Sequence, residues 1–229
     1  LLSALSTVLF STSIAETRPQ LTGVLFILDK DTLTFVATDG FRLSQNKIKL
    51  GGKLNAVKMI IPKRILSEMD RILDGQFEEI TLQINRNENQ LVFGLPNIIL
   101  TSRLIEGDFP NFEKIIPKTS VVKIFLDKDE FLSRIKLASV FAKDSSNLIH
   151  LDIKKGKLIV LTESSKSGSQ KIEIEARIEG EEIKIAYNYR FIEDFLNVVT
   201  SDEVQIEFSS DSAPGVFKDL KNPDFLHLI

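Results

Sequence analysis

Apolar residues recur at every second position over several short stretches of this chain, the spacing of half-buried strands. In a few other stretches they recur at every third or fourth position, the spacing of a helix face. Strands are expected near 22–28, 32–38 and 41–49. The pairs Lys30-Asp31 and Asp39-Gly40 supply tight turns between them. From Leu1 to about Ile14 the chain reads as a helix rich in serine and threonine. Pro62 suits the first turn of a second helix, with Ile65, Leu66, Met69, Ile72 and Leu73 as its apolar face and Asp74-Gly75 as its end. Alternating strands follow near 79–85, 90–95 and 98–104.

The same order of elements returns in the second half. Leu1-Leu2-Ser3 is answered by Phe131-Leu132-Ser133, an offset of 130, and Ile60-Ile61-Pro62-Lys63-Arg64 by Ala186-Tyr187-Asn188-Tyr189-Arg190, an offset of 126. Ile80-Thr81-Leu82-Gln83-Ile84 is answered by Val204-Gln205-Ile206-Glu207-Phe208, and Leu91-Val92-Phe93 by Gly215-Val216-Phe217, both at 124. A period this long is a domain duplication, not a solenoid. The joint falls near Pro117-Lys118-Thr119-Ser120, which gives two homologous domains, 1–117 and 118–229. Each is expected to run helix, three strands, helix, three strands. In the second domain, Asn188 caps a helix whose apolar face is Ile192, Phe195, Leu196 and Val199. The fold class is α+β, built from antiparallel meanders and short helices.

Composition narrows the chemistry. With 229 residues, 43% of them hydrophobic and 27% charged, the chain can bury real cores. The absence of cysteine excludes disulfides, thiol catalysis and cysteine-bound metals. The two histidines, His150 and His227, are too few for a multi-histidine centre and read as ordinary strand residues. Net charge is −3, so any attraction to nucleic acid must be local. No apolar run reaches the ~20 residues of a membrane span. The apolar opening from Leu1 to Phe10 lacks a basic n-region and a clear cleavage site, and a start at Leu1 suggests a chain cut from something longer.

No signature of a serine hydrolase, zinc protease or dinucleotide-binding enzyme is present. Leu50-Gly51-Gly52-Lys53-Leu54 has a phosphate-loop flavour but lacks the earlier glycine and the following Ser or Thr, so a hairpin turn is expected there. Asp29, Asp31 and Asp39 fall at strand ends, as solvated turn residues or, less simply, as a carboxylate cluster for metal.

Three segments are richer than their surroundings. Ala37-Thr38-Asp39-Gly40-Phe41-Arg42-Leu43-Ser44 is a tight turn with an unusual polar set. A second segment, from Leu104 to Pro117, is dense in aromatics and prolines. The third, Thr17-Arg18-Pro19-Gln20-Leu21-Thr22-Gly23-Val24-Leu25-Phe26, leads from the first helix into a strand. In this order and spacing they resemble the bacterial sliding clamp, the beta subunit of DNA polymerase III. The resemblance covers essentially the whole chain and matches the second and third of that family's three domains.

The resemblance implies tandem DNA-clamp domains, with antiparallel sheets outside and short helices lining an inner, DNA-facing side. The first domain and the opening strand of the second would be missing, as would the Met-Pro-containing tail beyond Leu228-Ile229. It implies a cytoplasmic, non-catalytic processivity factor without cofactor or metal, a homodimeric ring in its full-length form, and no membrane. Its partners would be duplex DNA held without sequence preference, the polymerase III catalytic subunit, the clamp loader, and replication and repair proteins docking short peptides. The implied peptide groove comprises Leu21, Thr38, Gly40, Phe41, Arg42, Leu43, Pro110, Lys114 and Ile115, with Asn188, Phe191, Ser212, Pro214 and Leu228 from the last domain. Phe41 and Phe191 stand where the family commonly has histidine or polar-tipped aromatics, and Lys114 where it has arginine. Cations on or beside the helices, Arg18, Lys63, Arg64, Arg134, Lys136 and Lys143, are expected to face DNA. Two other readings remain open: a metal-dependent nuclease or phosphotransferase using the strand-end aspartates, and a peptide-binding module without DNA function.

Overall fold

The computed structural model describes residues 1–73, 80–85, 87–95, 97–164 and 168–229. The chain divides into two compact units, Leu1–Pro110 and Asn111–Ile229. The expected helix stop at Asp74-Gly75 lies outside the described residues.

In the first unit, helix α1 (Leu2–Leu9) leads through a short 3-10 turn, Pro19–Leu21, into the long extended runs β1 (Gly23–Thr38) and β2 (Leu43–Pro62). Helix α2 (Lys63–Leu73) and the three-stranded meander β3 (Thr81–Asn85), β4 (Gln90–Leu95) and β5 (Ile98–Arg103) complete it. β1 is not straight. Phe26 and Phe35 would lie roughly 30 Å apart along a straight strand, yet their rings meet edge-on with centroids 4.7 Å apart. The run therefore doubles back at the expected turn, where Lys30 takes a positive φ of 55° and the burial falls away over residues 29–31.

The stretch Leu50-Gly51-Gly52-Lys53-Leu54 departs from expectation. It is extended chain inside β2, not a hairpin turn. Lys49 pairs with Thr32 and Leu54 with Lys30, so the stretch carries β2 around the bend in β1, from one arm to the other. Pro62 likewise ends β2 opposite Gly23 and does not sit inside the helix. At a strand end its missing N–H costs no ladder bond. The first helical donor, the Lys63 N–H, bonds to the Thr22 carbonyl at 3.2 Å. Gly23 permits this approach, because a Cβ there would sit 2.5 Å from the Ile61 carbonyl oxygen. The core joins Leu5 and Val8 of α1, Leu66, Met69 and Leu73 of α2, Phe26 and Phe35 of β1, and the alternating Leu91, Phe93 and Leu95 of β4.

The second unit repeats the plan. It runs β6 (Val122–Asp127), α3 (Lys128–Ala142), β7 (Leu148–Lys154), β8 (Lys157–Ser164), β9 (Gly168–Glu175), β10 (Arg177–Gly180), β11 (Ile183–Asn188), α4 (Tyr189–Val198), β12 (Glu203–Phe208), β13 (Val216–Asp219) and β14 (Asn222–Leu228). One sheet has the order β11-β7-β8-β9, and a second joins β14-β13-β12-β6-β10. Among the described residues, five strands, not three, separate its helices. One of the two extra strands is β10, a four-residue edge strand on β6, too short and charged to show alternation. Asn188 caps α4 as expected, accepting from the Arg190 N–H at 3.0 Å. Ile192, Phe195, Leu196 and Val199 are buried. His150 is exposed on β7, whereas His227 is fully buried, stacked on Phe195 with centroids 5.7 Å apart.

Candidate functional site

The turn between β1 and β2 is fixed by its own side chains. Thr38 Oγ1 donates to the Arg42 carbonyl at 2.6 Å and accepts from the Gly40 N–H at 3.0 Å. Asp39 Oδ1 accepts from the N–H groups of Phe41 (2.9 Å) and Arg42 (3.0 Å), the Asx-type bonding that favours aspartate at a turn. Its other oxygen receives Arg42 Nε at 3.0 Å. Gly40 sits at φ +96°, a conformation open to glycine. With the backbone held this way, the Phe41 ring is left 79% exposed, while Leu43 turns inward to 1%.

A cleft of about 280 Å³ opens beside this turn, lined by Ser13, Ala15, Thr17, Arg18, Leu21, Asp39, Gly40 and Phe41. One wall is the segment that follows α1, and the other is the turn. Arg18 Nη1 comes within 3.3 Å of the place a Gly40 Cβ would occupy. Leu21, 2% exposed, forms an apolar floor. The arrangement offers a shallow apolar seat with an aromatic rim, a cation and a carboxylate, a combination suited to a short amphipathic ligand and not to bond-making chemistry. Of the expected groove residues in this unit, Leu21, Gly40 and Phe41 line the cleft, and Thr38 and Arg42 brace its turn. Leu43 is core, and Pro110 is exposed at the unit's end. Arg18, expected to face DNA, lines the cleft.

The family model for the central domain of the DNA polymerase III beta subunit matches residues 1–111, and that for its C-terminal domain matches 113–229. The chain belongs to the DNA polymerase III beta subunit family. It is 32% identical over 211 residues to the beta sliding clamp of Staphylococcus aureus, covering 91% of this chain and 55% of that protein. It thus spans about half the length of the curated relatives it matches. The sliding clamp of Bacillus subtilis superposes with a TM-score of 0.93 at 30% identity, over 100% of this chain and 60% of that one. The clamp of Bartonella birtlesii, solved bound to griselimycin, superposes at 0.91 with 26% identity, over 100% of this chain and 62% of that one.

In the second unit of this beta-subunit chain, Lys114 and Ile115 are exposed on and after a single 3-10 turn, Phe112–Lys114. Asn188 caps α4, Phe191 is half-buried in its first turn, Ser212 is exposed, Pro214 half-buried and Leu228 buried. The expected cations also separate. Lys63 and Arg64 open α2, while Arg134 pairs with Glu130 at 3.3 Å one turn away on α3. Lys136 on α3 and Lys143 at its C-cap are exposed, seven positions apart. Among the described residues, no group of three or more His, Asp or Glu side chains is placed to hold a metal. Ser13, Ala15, Thr17 and Asp39 line the cleft without having been anticipated. Asp39 carried a readable signal, the Asp-Gly turn pair, and Thr17 opens the distinctive Thr17–Phe26 segment, whereas Ser13 and Ala15 come from a stretch without pattern.

Proposed function

We propose that this chain is the DNA-tethering and partner-docking part of a sliding clamp, a processivity factor without catalytic chemistry of its own. In this reading the full-length protein forms a homodimeric ring around duplex DNA in the cytoplasm. It tethers the polymerase III catalytic subunit, and it receives the clamp loader and other replication and repair proteins through short peptides. The observation that carries the docking part is the cleft between the segment after α1 and the Thr38–Arg42 turn, with Phe41 exposed at its rim. An exposed aromatic beside a buried leucine floor is the surface an apolar anchor side chain would seek. The griselimycin held by the Bartonella birtlesii clamp supplies a probe, which we expect to bind here.

Phe41→Ala is expected to weaken griselimycin binding by tenfold or more, roughly 1.4 kcal/mol, when measured by titration calorimetry. The melting temperature should barely move, since a ring 79% exposed contributes little packing. Unchanged affinity would place the docking site elsewhere.

A further inference from the structure

The polar set that follows the turn has a use beyond the turn itself. Arg42, Ser44 and Asn46 lie two residues apart, so they project from the same side of the chain entering β2. All three bond to α1 or to the residues just after it. Arg42 Nη2 donates to the Phe10 carbonyl at 2.8 Å. Ser44 and Ser11 share a hydroxyl–hydroxyl bond of 2.7 Å with both residues fully buried. Asn46 Nδ2 donates to Thr7 Oγ1 at 2.9 Å. Such a row of buried polar groups is costly unless satisfied, and here each finds a partner in the stretch from Thr7 to Ser11.

Arg42 differs from the other two in reaching both walls of the cleft. Nε holds Asp39, part of the turn wall, and Nη2 holds the Phe10 carbonyl, at the root of the Ser13–Arg18 wall. Its guanidinium also sits 5.4 Å from the Phe10 ring centroid. The side chain is 11% exposed and does not line the cleft. We infer that Arg42 is a positioning residue, a tie beneath the cleft that sets the distance between its walls and the orientation of Gly40 and Phe41. This rests on the docking role proposed above. A planar fork with donors on two edges can span the walls, and a lysine ammonium at the same place cannot.

The test uses the 229-residue chain with griselimycin as probe. Arg42→Lys and Arg42→Ala should each weaken binding about tenfold or more and shift the amide NMR signals of Gly40 and Phe41 in the unliganded protein. Millimolar methylguanidinium should restore much of the affinity of Arg42→Ala and none of that of Phe41→Ala. Should Arg42→Ala fold poorly, Asp39→Asn keeps the acceptor for the turn amides, weakens the hold on Nε, and should shift the same signals. Arg42 variants that leave both affinity and amide signals unchanged would overturn the tie. Arg42→Lys binding like wild type would do the same. Shifted amide signals, with Phe41→Ala binding as tightly as wild type, would keep the tie and reject the cleft as the docking site.

Discussion

Phe41 and Leu43 stand two positions apart in one turn, and the structure assigns them opposite work. Phe41 is open to a ligand, whereas Leu43 is 1% exposed and belongs to the interior. Leu43→Asp would bury a carboxylate with no prepared partner, a change on the order of 4 kcal/mol. A large drop in the urea midpoint is expected, with any loss of binding secondary to it. A midpoint within error of wild type would mean that Leu43 is not core. Asp219 shows the opposite case, a buried acid with partners prepared for it. It is 2% exposed, and burial alone would raise its pKa. The Thr200 N–H (2.9 Å), the Lys221 N–H (2.9 Å) and the Thr200 hydroxyl (3.1 Å) outweigh burial and hold it below the usual carboxylate range. A folded-state pKa below the unfolded one gives stability that is present at neutral pH and is lost as pH falls through the folded value. Asp219→Asn should therefore cost ~2 kcal/mol at pH 7 and flatten the acid limb of the stability profile. An acid limb as steep as wild type would show that other carboxylates set it.

The end of α3 shows what local sequence does and does not announce at the scale of an element. Its start is written plainly. Asp127 accepts from the Glu130 N–H at 2.8 Å, and Asp129 and Glu130 follow in the first turn, where carboxylates suit the helix dipole. Its end has no glycine. Ser146 and Asn147 both take positive φ, 56° and 63°, while the Asn147 N–H returns to the Ala142 carbonyl at 2.9 Å. Asparagine tolerates that region and serine less so. Ser146→Gly should relieve roughly 1–2 kcal/mol of steric cost and forfeit about half of that in chain entropy, a net gain of about 0.5–1 kcal/mol. A higher urea midpoint is the expected reading, and a lower one would show that the serine side chain carries an offsetting contact. The elements legible in advance were those fixed by neighbours in the chain: the α4 cap at Asn188, the α2 stripe of Leu66, Met69 and Leu73, and the alternation in β4. The handover of β2 at Leu50–Leu54 and the edge pairing of β10 were not legible, because both depend on partners distant in sequence. The candidate site divides the same way. Its turn wall could be read from Thr38-Asp39-Gly40, and Thr17-Arg18 opened a distinctive segment, but Ser13 and Ala15 carry no pattern and acquire their role only by folding against the turn.

For the whole molecule the question is how a chain of net charge −3 could hold a polyanion. Its summed field repels DNA, so any attraction must come from cations close enough to phosphate to escape screening, within about 8 Å at physiological salt. We propose Lys136 on α3 and Lys143 at its C-cap, both exposed and seven positions apart, as those cations. Arg134 is the weaker candidate, since Glu130 on the same helix already engages it. If both lysines neutralise phosphates, Lys136→Glu with Lys143→Glu should weaken association with a short linear duplex at low salt. The dependence of log K on log salt should also flatten by about 2, close to 0.9 for each lost phosphate contact. Lys155→Glu, a reversal in the exposed Lys155-Gly156 turn between β7 and β8, changes net charge without touching α3 and should leave the slope nearly unaltered. About half the double variant's effect from this single reversal, which changes net charge half as much, would mean that net charge, not the α3 face, governs retention. The same duplex, labelled and incubated with Mg²⁺ or Mn²⁺, should stay intact. Metal-dependent turnover would favour an enzyme built on the strand-end aspartates over a clamp that only holds and slides.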